Sequence, residues 1–316
     1  MRRGAVYTLV SVILLFAVAA LFFAHSMRTG HDIQAAVSDR VHGVDAFVTK
    51  LDEDSRRAAR IAGFRALIAM EQHVTSEGEY FVEPDDAFRE IFLTGNYSGT
   101  PFVIMENSTF EQYLARVQQE ARTQGVLFNA SVMNVTLWQA SPWAVLVNYT
   151  LAFNVTDVRG TASWRVERTF TGEVPVYDLR DPVFSVETLA RVQRTIKPSN
   201  VSSLVDDVGD ANDTSGLMEA FNQSYYFANG RGPSILMRFA GDFSDSPFGI
   251  ESLIDINELT DQGIVANTTA TVVDYRYFTG VTATACSIQN TTSRLKLGDQ
   301  DLVPYEIQGK LTYAAC

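Results

Sequence analysis

The stretch WAVLVNYTLAFNV, residues 143–155, decides the fold because apolar and polar residues alternate along it. Odd-numbered positions such as Tyr149 and Phe153 are apolar, and the even-numbered positions include Asn148 and Asn154. This period of two is typical of a β-strand with one buried face. Both asparagines begin Asn-x-Thr glycosylation sequons, and a glycan cannot be buried, so we expect the even-numbered face in solvent.

The segments around this strand predict an antiparallel sheet covered on one side by helices. Residues 126–138 and 161–170 complete a three-stranded meander. Upstream, Thr109 to Gln112 is a capping box that opens a helix ended by Gly125. Asp85 and Asp86 open another, shorter helix. The predicted fold class is therefore α+β.

The chain beyond Asp181-Pro182 repeats the order of helices and then strands. The sequence predicts helices over 185–196 and 213–228, a loop over 201–216, and strands over 268–278, 282–288, 293–297 and 305–313. Two α+β halves, 79–180 and 181–316, and one larger mixed domain are both compatible with this pattern.

The N-terminal region predicts a membrane anchor. Residues 5–24 contain no charged side chain, and a helix of that length spans about 30 Å, the thickness of a bilayer core. We expect a cytoplasmic tail at 1–4 with Arg2 and Arg3, a transmembrane helix at 5–27, and the remainder outside the cell with the bilayer as partner. The alternative is a cleaved signal peptide, for which residues 17–19 offer a small-residue cleavage pattern.

Residues 28–78 predict a helical stalk. Apolar residues recur at spacings of four and three, as in a coiled coil, at Val37, Val41, Val44, Val48 and Leu51. Such a seam favours self-association or contact with an envelope partner. The alternative is a helix that packs on its own globular domain, and the apolar residues 61–70 favour this for its far end.

Sequons are far more frequent than chance predicts. Of 13 asparagines, 11 begin Asn-x-Ser/Thr, whereas about two such matches would arise by chance. All follow the predicted anchor, which agrees with an extracellular, N-glycosylated bulk. They are Asn96, Asn107, Asn129, Asn134, Asn148, Asn154, Asn200, Asn212, Asn222, Asn267 and Asn290.

The chain has two cysteines, Cys286 and Cys316. In an oxidising exterior a disulfide between them would close a loop of about 30 residues. Two free thiols, or an intermolecular link through Cys316, are the alternatives.

Composition and motifs exclude several classes of function. The net charge of −12 disfavours a nucleic-acid partner. All four histidines lie within the first 73 residues, and no metalloprotease, nucleophile-elbow, phosphate-loop or dinucleotide motif occurs.

The acidic stretch 206–213 lacks the glycine and final glutamate of an EF-hand. Three tryptophans, Trp138, Trp143 and Trp164, together with Tyr225 and Tyr226, fit a sugar or peptide groove or ordinary core packing. The sequence thus predicts no enzyme, no cofactor and no metal.

The stretch Arg2-Arg3-Gly4-Ala5 ahead of an apolar helix resembles the signal of archaeal type IV pilin-like proteins. A membrane peptidase cuts that signal after the glycine, so the resemblance implies processing between Gly4 and Ala5. Many pilins carry a glutamate five residues after the cut, where this chain has Leu9.

A wider resemblance extends to uncharacterised archaeal membrane-anchored surface proteins. It rests on the helix reaching into 63–67, the meander near Trp138 and Pro142, Asp181-Pro182, and the stretch GIESLI at 249–254. It implies a pilin-like or cell-envelope role and carries no catalytic residues.

Three functions follow from these observations. The leading hypothesis is a non-catalytic, membrane-anchored, glycosylated surface protein with a pilin-like or envelope-assembly role. The second is a ligand-binding ectodomain that acts with a separate membrane partner, and the third is an extracellular hydrolase.

Overall fold

A computed structural model describes residues 2–208, 211–280 and 285–310, with the side chains of 2–12, 24–36, 207–208 and 211–212 outside this description. The chain forms two compact units that interleave along the sequence. Unit one comprises Met1–Ser55, Ala115–Ser131 and Ala152–Arg168, and unit two comprises Arg56–Leu114, Val132–Leu151 and Thr169–Cys316. The boundary expected at residue 181 stays a prediction.

Eight α-helices lie in the described residues. They are α1 Arg2–Glu77, α2 Pro84–Thr94, α3 Phe110–Thr123, α4 Pro182–Glu187, α5 Ser215–Gln223, α6 Ile235–Ala240, α7 Ile256–Asp261 and α8 Asp274–Phe278.

Eleven strands, as far as the description reaches, form five separate sheets. The only sheet among them with more than two strands is the meander β3 Val126–Ser141, β4 Ala144–Asp157 and β5 Ser163–Pro175, in the order β3-β4-β5. The others are antiparallel pairs: β1 Asn96–Tyr97 with β2 Thr100–Pro101, β6 Asp206–Val208 with β7 Ala211–Asp213, β8 Tyr226–Ala228 with β9 Ile250–Ser252, and β10 Ala285–Ser287 with β11 Lys296–Gly298. The predicted α+β class with antiparallel sheets is confirmed.

Helix α1 is continuous from Arg2 to Glu77 and covers both the anchor and the stalk expected from the sequence. No helix in the described part of the chain has both the length and the apolar character needed to cross a bilayer. Within the expected span 5–27, side chains are described only at 13–23, and the rest of that expectation lies outside the described residues.

The far end of α1 packs into unit two. Ala62, Leu67 and Met70 are buried there. A Cβ at Gly63 would lie 2.8 Å from a methyl group of Val174 and 3.3 Å from one of Val147. The missing side chain therefore lets the helix backbone approach both residues closely. The packing predicted for 61–70 is confirmed, which makes this end of the helix part of a core.

Unit one has its own small aromatic cluster. The ring of Phe128 lies 5.7 Å from that of Phe47 on α1 and 6.2 Å from that of Phe153 on β4. Arg40 pairs with Asp157 at 3.1 Å, at the end of β4. Rings at these separations interact favourably beyond the apolar area they bury.

The faces of β4 agree with the sequence. Every odd-numbered residue from Val145 to Val155 is buried, whereas Asn148 and Thr150 are half-buried and Asn154 is exposed. The meander is confirmed, although Trp143 lies in the turn before β4 rather than in the strand.

The capping box is confirmed too. The backbone NH of Thr109 donates to Gln112 Oε1 at 3.1 Å, and the NH of Gln112 donates to Thr109 Oγ1 at 3.2 Å. Gly125 follows α3 with a φ of 74°, a left-handed conformation that favours glycine. The helix predicted near Asp85 and Asp86 is α2, and its N-cap, Glu83, makes no side-chain cap.

The two helices predicted after residue 181 were too long. The predicted 185–196 helix ends at Glu187, because the Thr188 hydroxyl bonds to local backbone groups and Leu189 and Ala190 adopt positive φ. The predicted 213–228 helix ends at Gln223, and 226–228 is instead strand β8, paired with β9.

Other predictions in this region were also wrong in part. Residues 274–278, predicted as strand, form helix α8, and the expected loop 201–216 contains β6, β7 and the start of α5. Most of residues 305–310 lie in turns, and 311–313 lie outside the described residues. Among the strands described after residue 181, β10 and β11 fall near predicted strands. The aromatic and β-branched residues of the other predicted strand segments favour strands by intrinsic propensity. In the folded chain, tertiary contacts determine their secondary structure instead.

The strand faces give a direct test. Phe153→Ala should lower the free energy of unfolding by about 3–5 kcal/mol, because Phe153 is buried and the substitution leaves a cavity. Asn148→Gln should change it by less than about 0.5 kcal/mol while removing one glycosylation sequon. Chemical denaturation of the purified chains measures both, and equal losses would mean that the faces are assigned the wrong way round.

Candidate functional site

Arg238 on α6 lies fully buried in unit two, between two carboxylates. Its Nη1 donates to Asp181 at 2.6 Å and to Asp274 at 3.1 Å, and its Nη2 donates to Asp274 at 3.2 Å and to the carbonyl of Ile250. The hydroxyl of Tyr226 donates to Asp181 at 2.8 Å. We call Arg238, Asp181, Asp274 and Tyr226 the Arg238 cluster. A buried charge is stable only with partners of this kind.

Local structure holds each carboxylate in place. Asp181 is the N-cap of α4, where its Oδ1 accepts from the NH of Val183 at 3.0 Å and Pro182 fills the first helical position. Asp274 opens α8 and accepts from the NH and the hydroxyl of Ser252 at 3.0 and 2.9 Å. The cluster therefore joins α4, α6, α8, β8 and β9.

The Arg238 cluster holds one guanidinium against two carboxylates. Burial raises the pKa of Asp181, the nearby Asp274 raises it further, and Arg238 opposes both effects. Burial also raises the pKa of the Tyr226 hydroxyl, as does the Asp181 carboxylate that it faces. The guanidinium, both carboxyl groups and the phenol thus share one region closed to solvent.

A polar cleft of about 180 Å³ opens beside this cluster, within unit two. Strand β8 contributes Phe227 and Ala228, and β9 contributes Glu251, directly opposite Phe227 in the register. Two further segments, 201–204 and 304–306, complete the lining together with Asn229. We call this the Glu251 cleft.

Two glycines, Gly232 and Gly249, allow two backbone segments to approach each other closely beside the cleft. A Cβ at Gly249 would lie 2.0 Å from the carbonyl oxygen of Gly232, and one at Gly232 would lie 2.9 Å from that of Ile250. The NH of Asn229 donates to the Gly249 carbonyl at 2.9 Å. Larger residues would push β8 and β9 apart, so these glycines position Asn229 and Glu251.

Glu251 is 1% exposed, and its environment raises its pKa to about 7. Burial is the main cause, and the carboxylates of Asp274 and Asp301 add to it. The Asn229 amide and the Tyr305 hydroxyl interact with the carboxyl group and oppose this rise. Glu251 Oε2, Asn229 Nδ2 and Tyr305 Oη are closed to solvent, and the amide and the phenol are the polar groups that face this carboxyl group. Three buried polar groups thus satisfy one another in the wall of the cleft.

A second buried ion pair lies near the cleft. Arg276 and Asp301 approach to 2.6 Å, and Asp301 also accepts from the Thr271 hydroxyl at 2.9 Å. The Arg276 Nε donates to the Tyr275 hydroxyl at 2.9 Å. These contacts hold the segment that precedes Tyr305.

The sequon asparagines lie at accessible positions. Ten of the eleven have described side chains, eight of them exposed and two, Asn96 and Asn148, half-buried. The side chain of Asn212 is outside the description.

The other predicted sites are only partly described. Cys286 is buried, but Cys316 lies outside the described residues, so the disulfide stays a prediction. At the expected processing site, Gly4 and Ala5 are described by their backbone alone, and the side chains of most of the acidic stretch 206–213 also fall outside. Where side chains are described, no group of three or more His, Cys, Asp or Glu is arranged to hold a metal ion.

Of the aromatic residues that fitted either a groove or core packing, Tyr226 is buried in the Arg238 cluster. Trp138 is 47% exposed on β3. Sequence reasoning missed both Arg238 and Glu251. A signal was present for each, since Arg238 follows the apolar residues Ile235, Leu236 and Met237, and Glu251 lies in the largely apolar stretch 248–254.

Comparisons with known proteins add no relative: no family model, no curated protein and no solved structure matches the chain.

Removal of the buried Arg238 guanidinium should lower the free energy of unfolding. Arg238→Met leaves Asp181 and Asp274 as unpaired buried carboxylates, so the free energy of unfolding should fall by about 3–5 kcal/mol. As a control, Arg168→Met removes the exposed pair of Arg168 with Asp52, at 3.2 Å, and should cost less than about 1 kcal/mol. Similar losses in urea denaturation would contradict a structural role for the cluster.

Glu251 should make stability depend on pH. Its pKa is about 7 in the folded state against 4.5 as the ordinary value, so the folded state holds a proton that the unfolded state has lost over that interval. Stability therefore falls as pH rises from about 4.5 to 7, by on the order of 3 kcal/mol.

Glu251→Gln should remove this dependence. Relative to the wild type, the variant should gain stability at pH 8 and gain little at pH 5. Urea denaturation of both chains at the two pH values gives the difference. An identical pH dependence in the two chains would show that Glu251 does not titrate in this range.

Proposed function

We propose that this chain is a non-catalytic, N-glycosylated surface protein, anchored in the cell membrane by the start of α1, with unit two presented outside the cell. One observation carries the proposal. All ten described sequon asparagines are exposed or half-buried, so a glycan at each can extend into solvent. Chance alone would produce only about two sequons in this chain. It would also not favour accessible positions for them.

The anchor rests on the sequence and on exposed apolar side chains. No charged residue occurs from Ala5 to Ala24. Large apolar side chains of α1 in this segment are between 58% and 76% exposed, far more apolar surface than a helix keeps in contact with water: Ile13, Leu14, Leu15, Phe16, Val18, Leu21, Phe22 and Phe23. A bilayer is the partner that matches a helix apolar on all sides.

The stalk supports an envelope-assembly or pilin-like role. Val37 and Val41 are 38% and 36% exposed, whereas Val44 and Leu51 on the same seam are buried. The exposed part of the seam offers an apolar stripe to a second copy or to an envelope partner.

The Glu251 cleft favours the second candidate, a ligand-binding ectodomain. It is an open cleft of about 180 Å³ with a largely polar lining, which is a typical setting for a small ligand. The two functions are compatible, since a surface protein can present a binding site.

Mass spectrometry of the chain from its native membrane tests the proposal. The N-terminus should be Met1, for a simple anchor, or Ala5, for pilin-type processing, and peptides containing Asn154 and Asn267 should carry glycans. Asn154→Gln should remove one glycan mass, and Asn257→Gln, at one of the two asparagines outside sequons, should remove none. A mature start at Ala20 with unmodified asparagines would contradict both the anchor and the exported location.

A further inference from the structure

Another cleft, of about 330 Å³, lies in unit two and is lined by helix α1 and by the chain at the end of strand β5. We call it the Arg60 cleft, and its lining consists of Arg60, Ile61, Phe64 and Arg65 on α1 with Pro175, Tyr177 and Asp178. It shares no lining residue with the Glu251 cleft. We propose that the Arg60 cleft binds one apolar amino acid in its zwitterionic form.

The apolar part of this lining is accessible. Ile61 is 50% exposed and Tyr177 is 44% exposed, while Phe64 and Pro175 are half-buried. Ile61 and Phe64 are three residues apart on α1, so they are neighbours on one face of the helix. An open cleft of this volume with apolar side chains in its wall is a usual setting for a small ligand. The side chain of an apolar amino acid would cover these residues.

Opposite charges line the same cleft without pairing. Arg60 and Asp178 are both exposed, and neither side chain has an ion-pair or hydrogen-bond partner in the part of the chain that the structure describes. Arg65 Nη1 donates to the carbonyl of Ile104 at 3.3 Å and to the Ser108 hydroxyl, so this second guanidinium is held in position. The cleft therefore offers both a positive and a negative group beside an apolar surface.

The backbone holds Asp178 in an uncommon conformation. Its φ is 69°, in the left-handed region that aspartate enters more readily than most residues. The NH of Asp178 donates to the carbonyl of Ile196 at 3.0 Å. The Asp178 carboxylate is thereby held at the cleft by a fixed backbone turn.

Ligands with a single charge match this lining less well. A carboxylate without an amine would pair with Arg60 but would meet the like charge of Asp178. An amine without a carboxylate would pair with Asp178 but would meet two guanidinium groups. An amino acid carries both charges at neutral pH, so its carboxylate can pair with Arg60 while its ammonium group pairs with Asp178.

Isothermal titration calorimetry of the full chain, purified in detergent, tests the proposal with phenylalanine and leucine. At least one of them should bind saturably. Arg60→Gln and Asp178→Asn should each weaken that binding about fivefold or more, because each removes one charge-assisted contact. Asparagine also enters the left-handed region readily, so Asp178→Asn keeps the turn. Arg57→Gln is the matched control and should leave binding unchanged, since Arg57 is exposed on the same helix and does not line the cleft.

Analogues with one charge show which group each residue recognises. Phenylpropionate and isocaproate lack the ammonium group of phenylalanine and leucine, and phenethylamine and isoamylamine lack the carboxylate. Each analogue should bind more weakly than its amino acid. Arg60→Gln should not weaken the binding of the amines further, and Asp178→Asn should not weaken that of the carboxylates.

Three results overturn the proposal: neither amino acid binds, Arg57→Gln weakens binding as much as Arg60→Gln, or an analogue binds as tightly as its amino acid. Circular dichroism melts verify that the variants stay folded, as expected for changes at exposed side chains. The proposal does not rest on the anchor or the glycans, because the lining contains no sequon asparagine and no residue of the expected transmembrane segment. Failure to bind an amino acid would leave the mass-spectrometric test of the surface location unaffected.

Discussion

The guanidinium of Arg238 lies out of contact with water and must satisfy its charge within the protein, which it does by holding Asp181 and Asp274 at 2.6 and 3.1 Å. These two residues begin helices that are distant in sequence, and Tyr226 and Ser252 bind the same carboxylates from paired strands. Because an unpaired ion in such a place costs several kcal/mol, the short elements of unit two have few alternative arrangements. Elements of five or six residues have little stability of their own and depend on such shared contacts.

The chemistry of the Glu251 cleft depends on this same cluster. Asp274, which binds Arg238, also raises the pKa of Glu251. A carboxyl group that changes its charge near neutral pH is thereby positioned at a cleft, next to an amide and a phenol. Burial alone would shift the pKa of Glu251 in the same direction, and the neighbouring carboxylates extend the shift.

The sequence was most informative where the pattern was long. The alternation over 143–155 predicted both the strand and its buried face, and the reciprocal capping pattern of Thr109 and Gln112 predicted the start of α3. It was least informative beyond residue 181, where elements are short. Residues 274–278 are rich in aromatic side chains and were predicted as strand, yet they form a helical turn whose first residue binds Arg238. The site was missed for a related reason. Arg238 is distant in sequence from Asp181 and Asp274, and Glu251 is distant from Tyr305, so only the folded chain shows which groups are buried together.

The meander leaves two long strands, β3 and β5, each with a free side, since no further strand of the described chain joins the sheet. A free side exposes backbone groups that another molecule can pair with, and this is a common route to aggregation. Sequons at Asn129 and Asn134 lie on β3, both exposed, and β5 carries the exposed charges of Arg165, Glu167 and Arg168. Under the glycosylation that we propose, bulky glycans along one border and alternating charges along the other would keep neighbouring molecules from extending the sheet. Copies crowded together in the proposed surface location would then meet through their helices rather than through their strands.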